Sequence, residues 1–132
     1  MNAFLIDLEN KPGELARVAE AIAGKGANIE NITGATCGST GRAALMTSDD
    51  AATRSALAEA KCTFTEVEGV DAVMPHEPGT LARTCRRLAD AGINIEALLP
   101  LGVEGSNAKV GFVTDQPAKA RDILSHAGSA TR

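Results

Sequence analysis

The sequence predicts an α+β protein built from two small β-α-β-β-α-β units in tandem, and three observations predict it. The first is a duplication: Pro12-Gly13-x-Leu15-Ala16-Arg17 returns as Pro78-Gly79-x-Leu81-Ala82-Arg83, and Gly26-x-Asn28-Ile29-Glu30 returns as Gly92-x-Asn94-Ile95-Glu96. Ten of the nineteen positions in 12–30 are identical in 78–96 without a gap, and self-similarity of this kind marks a repeated structural unit. The second is that strand-like and helix-like spacings alternate in the same order in both copies. The third is length. Half of 132 residues per copy is a unit that buries only roughly 60% of its unfolded surface, so the copies are expected to pack together or to oligomerise. The expected domains are 1–68 and 69–132.

In the first copy, Ala3 to Leu8 is short and apolar apart from Asp7 and reads as a strand. Pro12-Gly13 opens a helix with Leu15, Val18, Ala19 and Ile22 on one stripe, and a proline in a first turn loses no hydrogen bond. Lys25-Gly26 closes it with a cation near the last carbonyls and a residue that tolerates positive φ. Asn28 to Cys37 and Arg42 to Thr47 form a hairpin across Gly38-Ser39-Thr40-Gly41. Asp49-Asp50 starts the second helix with carboxylates at the favourable end of its dipole, and Cys62 to Val67 is the last strand.

The second copy repeats the order. Val70 to Met74 is a strand; Pro78 to Ala91 is a helix with Leu81, Cys85 and Leu88 along one face. Ile93 to Val103 and Ala108 to Thr114 form a hairpin across Glu104-Gly105-Ser106-Asn107, and Asp115-Gln116-Pro117 starts a helix reaching about Ala127. Gly128 to Arg132 is too short and polar for a sixth element, so the last strand of this copy is short or absent. The element order is that of a ferredoxin-like unit, an antiparallel sheet with both helices on one face. There the last strand flanks the first. Either Ala3–Leu8 and Thr63–Met74 are shared between two sheets, or another subunit covers the edge, or the edge is exposed.

Composition narrows the function. The formal net charge is -4 with both signs interspersed, which argues against a nucleic-acid or anionic-membrane surface. MNAFLIDLEN lacks a signal-peptide pattern, and no apolar run approaches the roughly 20 residues of a membrane span; a cytoplasmic location is expected. Three separated cysteines, Cys37, Cys62 and Cys85, suit reduced thiols better than a disulfide framework or a zinc site. The aromatics are Phe4, Phe64 and Phe112, with no Trp or Tyr. The cores are therefore expected to be aliphatic and thin. Gly24-Lys25-Gly26 ends a helix where a nucleotide loop begins one. Neither His76 nor His126 has an evident nucleophile and orienting acid, and Glu30 and Glu96 lack an evident cleft, so no catalytic residue, cofactor or metal is expected. Arg83, Arg86 and Arg87 read as a basic patch with Asp90 in reach of the last two.

The duplicated corner carries the binding chemistry. After the first strand the chain turns through Asn10-Lys11-Pro12-Gly13 into a helix whose first N–H groups receive an anion. Asn10 offers an acceptor for an ammonium and donors for a carboxylate. Such a corner suits a zwitterion. Asn28 lies at the far end of the same helix, so the two asparagines meet only if domains pack with corners and strands opposed. The bland alternative is that Pro-Gly, Asn28 and Asn94 are turn residues satisfying local backbone groups.

Glu9-Asn10-Lys11-Pro12-Gly13-x-Leu15-Ala16 followed by Gly26-Ala27-Asn28-Ile29 resembles the ACT domain family, and so does His76-Glu77-Pro78-Gly79-x-Leu81-Ala82 with Gly92-Ile93-Asn94-Ile95. The resemblance covers the chain except for the absent last strand and implies a stand-alone double-ACT protein. It implies a non-catalytic regulator that senses an amino acid at an inter-domain or inter-subunit interface, as a homodimer, with a metabolic enzyme as a further partner. The alternative is a ligand-free interaction module acting on an enzyme or transcription factor. In serine-sensing members, the two asparagines of the motif contact ligand from opposite domains. By that similarity the candidate binding residues are Asn10, Pro12, Gly13, Asn28 and Ile29, and His76, Gly79, Asn94 and Ile95. His76 departs from the motif: a neutral imidazole gives one donor and one acceptor, so the corners are expected to differ in preference or pH response.

Overall fold

The computed structural model describes residues 1–125. The chain divides into two compact units, Asn2–Val67 and Met1 with Glu68 onward. Each is ferredoxin-like, an antiparallel sheet with helices on one face.

The first unit runs β1 (Asn2–Glu9), α1 (Glu14–Gly24), β2 (Ile29–Cys37), β3 (Thr40–Thr47), α2 (Asp50–Glu59) and β4 (Phe64–Glu68), with sheet order β2-β3-β1-β4. β1 and β3 pair antiparallel with Phe4 opposite Leu45 and Asp7 opposite Arg42. A two-faced strand alternates its side chains, so Phe4, Ile6 and Leu45 turn to the helices and join Val18, Ile22, Ala56 and Leu57 in one core. The Phe4 and Phe64 rings sit 6.1 Å apart in a tilted arrangement.

The stripe of α1 departs from the expected one. Its buried residues are Glu14, Val18 and Ile22, while Leu15 is 51% exposed. The reason is the helix start. Gly13 takes φ 87 as the N-cap and Glu14 is the first helical residue, which leaves Pro12 outside the helix and puts Leu15 one 100° step off the buried line. The second unit repeats this: α3 buries Thr80, Thr84 and Leu88, and Leu81 is 44% exposed.

The second unit runs β5 (Val70–Pro75), α3 (Thr80–Asp90), β6 (Ile95–Glu104), β7 (Asn107–Thr114) and α4 (Pro117–Ser125), in a three-stranded sheet of order β5-β7-β6. Its core gathers Val70, Ala72, Met74, Leu88, Ile93, Phe112, Ala120 and Leu124. Met74 is thus a core residue, as Leu8 is a half-buried neighbour of the first core. Each strand belongs to one sheet, so neither β1 nor β4 is shared; Met1 and Gly69 exchange backbone hydrogen bonds of 3.0 and 2.7 Å. The expected absence of a last strand beyond α4 falls on residues outside the described ones, as does His126.

The three-arginine patch does not form as expected. Arg86 alone faces Asp90, at 4.0 Å. Arg87 is half-buried and donates to Ile123 O (3.2 Å), because its position on α3 turns it toward α4. No helix among the described residues is long and apolar enough to cross a membrane.

Candidate functional site

The same backbone builds the corner in both units. Asn10 N–H donates to Ser39 O (3.0 Å) and His76 N–H to Ser106 O (2.8 Å), so each corner is tied to the hairpin turn of its own sheet. Asn10 adds a side-chain tie, Nδ2 to Gly38 O at 2.9 Å. Gly13 (φ 87) and Gly79 (φ 90) cap α1 and α3 in a left-handed conformation that costs glycine nothing sterically. Neither cap supplies a side-chain hydrogen bond; Glu14 N–H turns to Lys11 O (3.4 Å) and Thr80 N–H to Glu77 O (3.3 Å), which leaves the next N–H groups of each first turn open to a ligand.

A hollow of about 440 Å³ opens on the first corner, with Asn10, Lys11 and Leu15 on one side and the Ile32–Thr36 stretch of β2 with Ala43 on the other. Leu15 and Ile32 are both exposed and make its apolar wall. One Asn10 amide hydrogen is used on Gly38, while Oδ1 has no partner among the described residues and can accept from an ammonium.

Charge around the corner is paired. Glu14, 9% exposed, receives Arg17 Nη2 at 2.8 Å; the Arg17 guanidinium holds its carboxyl below the usual carboxylate range. Arg17 also donates Nη1 to Ala60 O (2.7 Å). Lys11 meets Glu9 at 2.8 Å, and that carboxylate raises the lysine above its ordinary value. An apolar wall of Leu15 and Ile32, the Asn10 Oδ1 acceptor and the start of α1 thus meet at this hollow.

The other candidates are spread out. Pro12 is an exposed turn residue. Asn28 and Ile29 do not line this hollow; the eleven residues of α1, about 16 Å of helix, separate them from the corner. Asn28 instead exchanges hydrogen bonds with Ser48, N–H to Oγ and O to N–H, both 2.9 Å, and Ile29 packs against the core. Asn94 likewise receives Asp115 N–H (3.2 Å) and donates N–H to Asp115 Oδ1 (2.9 Å). Asn94 and Ile95 border a hollow of about 350 Å³ along α3 with Ala82, Cys85, Arg86 and Ala89; burial pushes the Cys85 thiol up. His76 is exposed.

The sequence reading missed Glu14, Arg17 and Lys61. A signal for the first was present: the copies align residue for residue here, yet Glu14 faces Thr80. Arg83 accordingly donates to Thr80 Oγ1 (3.3 Å) and folds over the corner, its Nη1 2.9 Å from where a Cβ on Gly79 would stand. Among the described residues no group of three or more His, Cys, Asp or Glu is placed to hold a metal ion.

No protein-family model matches the chain, and no curated protein matches it. Solved structures do. A protein from Bacteroides thetaiotaomicron is 25% identical with a TM-score of 0.78 over 95% of this chain and 86% of its own. The ligand-free regulatory subunit of aspartate kinase from Thermus thermophilus is 22% identical, TM-score 0.65, over 96% of this chain and 91% of its own. Aspartokinase alpha and beta subunits align at 21% identity and TM-score 0.64 over 95% and 91%. The fold of this chain is therefore the tandem ACT-like fold, two ferredoxin-like units in one polypeptide, in common with the regulatory subunit of aspartate kinase from Thermus thermophilus.

Proposed function

We propose that the chain is a non-catalytic regulatory protein that binds a free amino acid at the first-unit corner and passes the binding event to a metabolic enzyme. The observation that carries this reading is the hollow beside Asn10, where a free carbonyl oxygen, uncapped helix N–H groups and the exposed Leu15 and Ile32 meet in about 440 Å³. The ammonium is received by Asn10 Oδ1, the carboxylate by the first turn of α1, and the side chain lies along Leu15 and Ile32. Similarity of fold to an aspartate kinase regulatory subunit supports the regulatory part. Asn28 and Asn94 act, in this reading, only where the strand of one unit faces the corner of another, as in a homodimer. Ligand binding then regulates by favouring one arrangement of units over another.

Calorimetry of the full chain against the twenty amino acids tests the proposal. Binding by at least one, weakened about tenfold or more in Asn10→Ala, supports it; no heat from any of them refutes it. A second reading, docking of a partner protein without ligand, is favoured by the repeat of exposed Leu15 and Leu81 at equivalent positions. It is the reading left if calorimetry is silent.

A further inference from the structure

The first unit holds a second cavity, of about 640 Å³, that adjoins the corner hollow along Leu8, Glu9 and Glu14 but does not include Asn10. Its walls come from the end of β1, α1, the β2–β3 hairpin and the turn from α2 into β4. Its lining holds three carboxylates, Asp7, Glu9 and Glu14, and three cations, Arg17, Arg42 and Lys61. Arg17 is held by Glu14 (2.8 Å), Arg42 by Asp7 (3.1 Å) and Glu9 by Lys11 (2.8 Å). Lys61 lines the cavity and makes no ion pair among the described residues. Lys11, which pairs with Glu9, lies outside the lining, so Lys61 is the one lining cation without an ion-pair partner among the described residues.

The backbone at Lys61 is also exceptional. Three helices end in the same way. Ala27 N–H returns to Ile22 O (3.3 Å), Ile93 to Leu88 O (3.0 Å) and Cys62 to Leu57 O (3.0 Å), a closure that puts the residue before the donor in left-handed conformation. In α1 and α3 that residue is Gly26 (φ 83) and Gly92 (φ 75); in α2 it is Lys61 (φ 58), the one non-glycine residue at positive φ among those described. Lysine is strained where glycine is not, and the strained residue is the one whose charge the cavity leaves unpaired. Residues held in sparsely populated conformations cluster at ligand sites.

We propose that this cavity is a binding site for a small carboxylate-bearing ligand, with the Lys61 ammonium as its anion-recognising group and Thr63 and the Cys62 thiol on the adjoining wall. The site stands without the amino-acid reading of the corner, because Asn10 takes no part and Glu14, which lines both hollows, is already paired with Arg17.

The test is amide chemical-shift mapping of the full chain with succinate as probe and putrescine as its cationic counterpart of matched length. Succinate is expected to shift the amides of Lys61, Cys62 and Thr63, and putrescine to leave them in place. Lys61→Arg keeps succinate binding within about threefold, whereas Lys61→Asn, which tolerates left-handed backbone without the charge, weakens it about tenfold or more. Lys61→Gly also loses succinate while its thermal midpoint rises by roughly 4 °C as the strain is relieved. The proposal is overturned if succinate leaves residues 61–63 unmoved, if Lys61→Asn binds it like the native chain, if putrescine shifts these amides instead, or if Lys61→Gly melts lower.

Discussion

Arg17 reaches back one turn of α1 to Glu14, its Nη2 2.8 Å from Oε1, and so neutralises a carboxylate that the first core has almost closed over. In the second copy Thr80 takes the carboxylate's place, and Arg83 turns onto it and onto Gly79. The first corner thus carries an ion pair where the second carries an arginine on a threonine hydroxyl.

Removing Arg17 tests the first half of that relationship. In Arg17→Ala the Glu14 carboxylate loses the partner that depresses its pKa. A depressed carboxylate contributes stability that is present above its unfolded pKa and lost as pH falls through the folded value. The variant is therefore expected to melt lower than the native chain at pH 7, with the gap narrowing below about pH 4 as Glu14 protonates. Thermal melts at pH 7 and pH 3 decide it, and a gap independent of pH would assign the loss to the Ala60 carbonyl contact alone.

A second acid-sensitive tie joins three elements of the first unit. Arg54 on α2 donates Nε and Nη2 to the two oxygens of Glu66 on β4 (2.7 and 2.8 Å), and Asn2 of β1 donates Nδ2 to Oε2 (2.8 Å). The Arg54 hydrogen bonds, with that of Asn2, push the Glu66 carboxyl down to about 2. Its contribution is complete above the ordinary value of 4.5 and disappears as pH falls toward 2. The thermal midpoint of the native chain is expected to fall across that window, and that of Glu66→Gln to fall less. Glu14, Glu59 and Asp71 are also lowered by their cations, so the variant keeps a shallower decline. Parallel slopes would remove Glu66 from the acid response.

Helix α2 depends on one cap. Asp49 is extended, and its Oδ1 accepts from Ala52 N–H at 3.0 Å. Asp49→Ala leaves that donor without its partner and is expected to cost about 1 kcal/mol in urea unfolding. Asp49→Asn, which keeps the acceptor, should lose only a few tenths. Equal losses would place the effect in the charge rather than in the cap.

Legibility followed the chemistry of single residues. The hairpins could be read because Gly38 and Gly105 sit at positive φ, and the ends of α1 and α3 because Gly26 and Gly92 do the same. The end of α2 offered no such mark, since Lys61 occupies the glycine position, and so its role beside the cavity was invisible. Asn10 was legible as a polar turn residue, but its bond to Gly38 spans 28 positions and follows only from the sheet. Arg87 looked like a solvated cation because a helix sequence does not say which neighbour will lie against it. Leu15 was misplaced for a related reason: stripes through 15, 18 and 22 and through 14, 18 and 22 share two members, and a carboxylate at 14 reads as solvent-facing until Arg17 is seen beside it.

That misplacement yields the sharpest mutational contrast. If α1 buried the line through Leu15, Leu15→Ser would empty part of the core and cost several kcal/mol. With Leu15 half exposed and Ile22 fully buried, Leu15→Ser is instead expected to stay within about 0.5 kcal/mol of the native stability, while Ile22→Ala costs about 2–5 kcal/mol. The same Leu15 variant removes the apolar wall of the corner hollow, so it should lose amino-acid affinity, or partner binding, without losing the fold. Urea unfolding and calorimetry on one preparation separate the two effects. A Leu15→Ser chain as unstable as Ile22→Ala would return Leu15 to the core and withdraw the hollow's apolar wall with it.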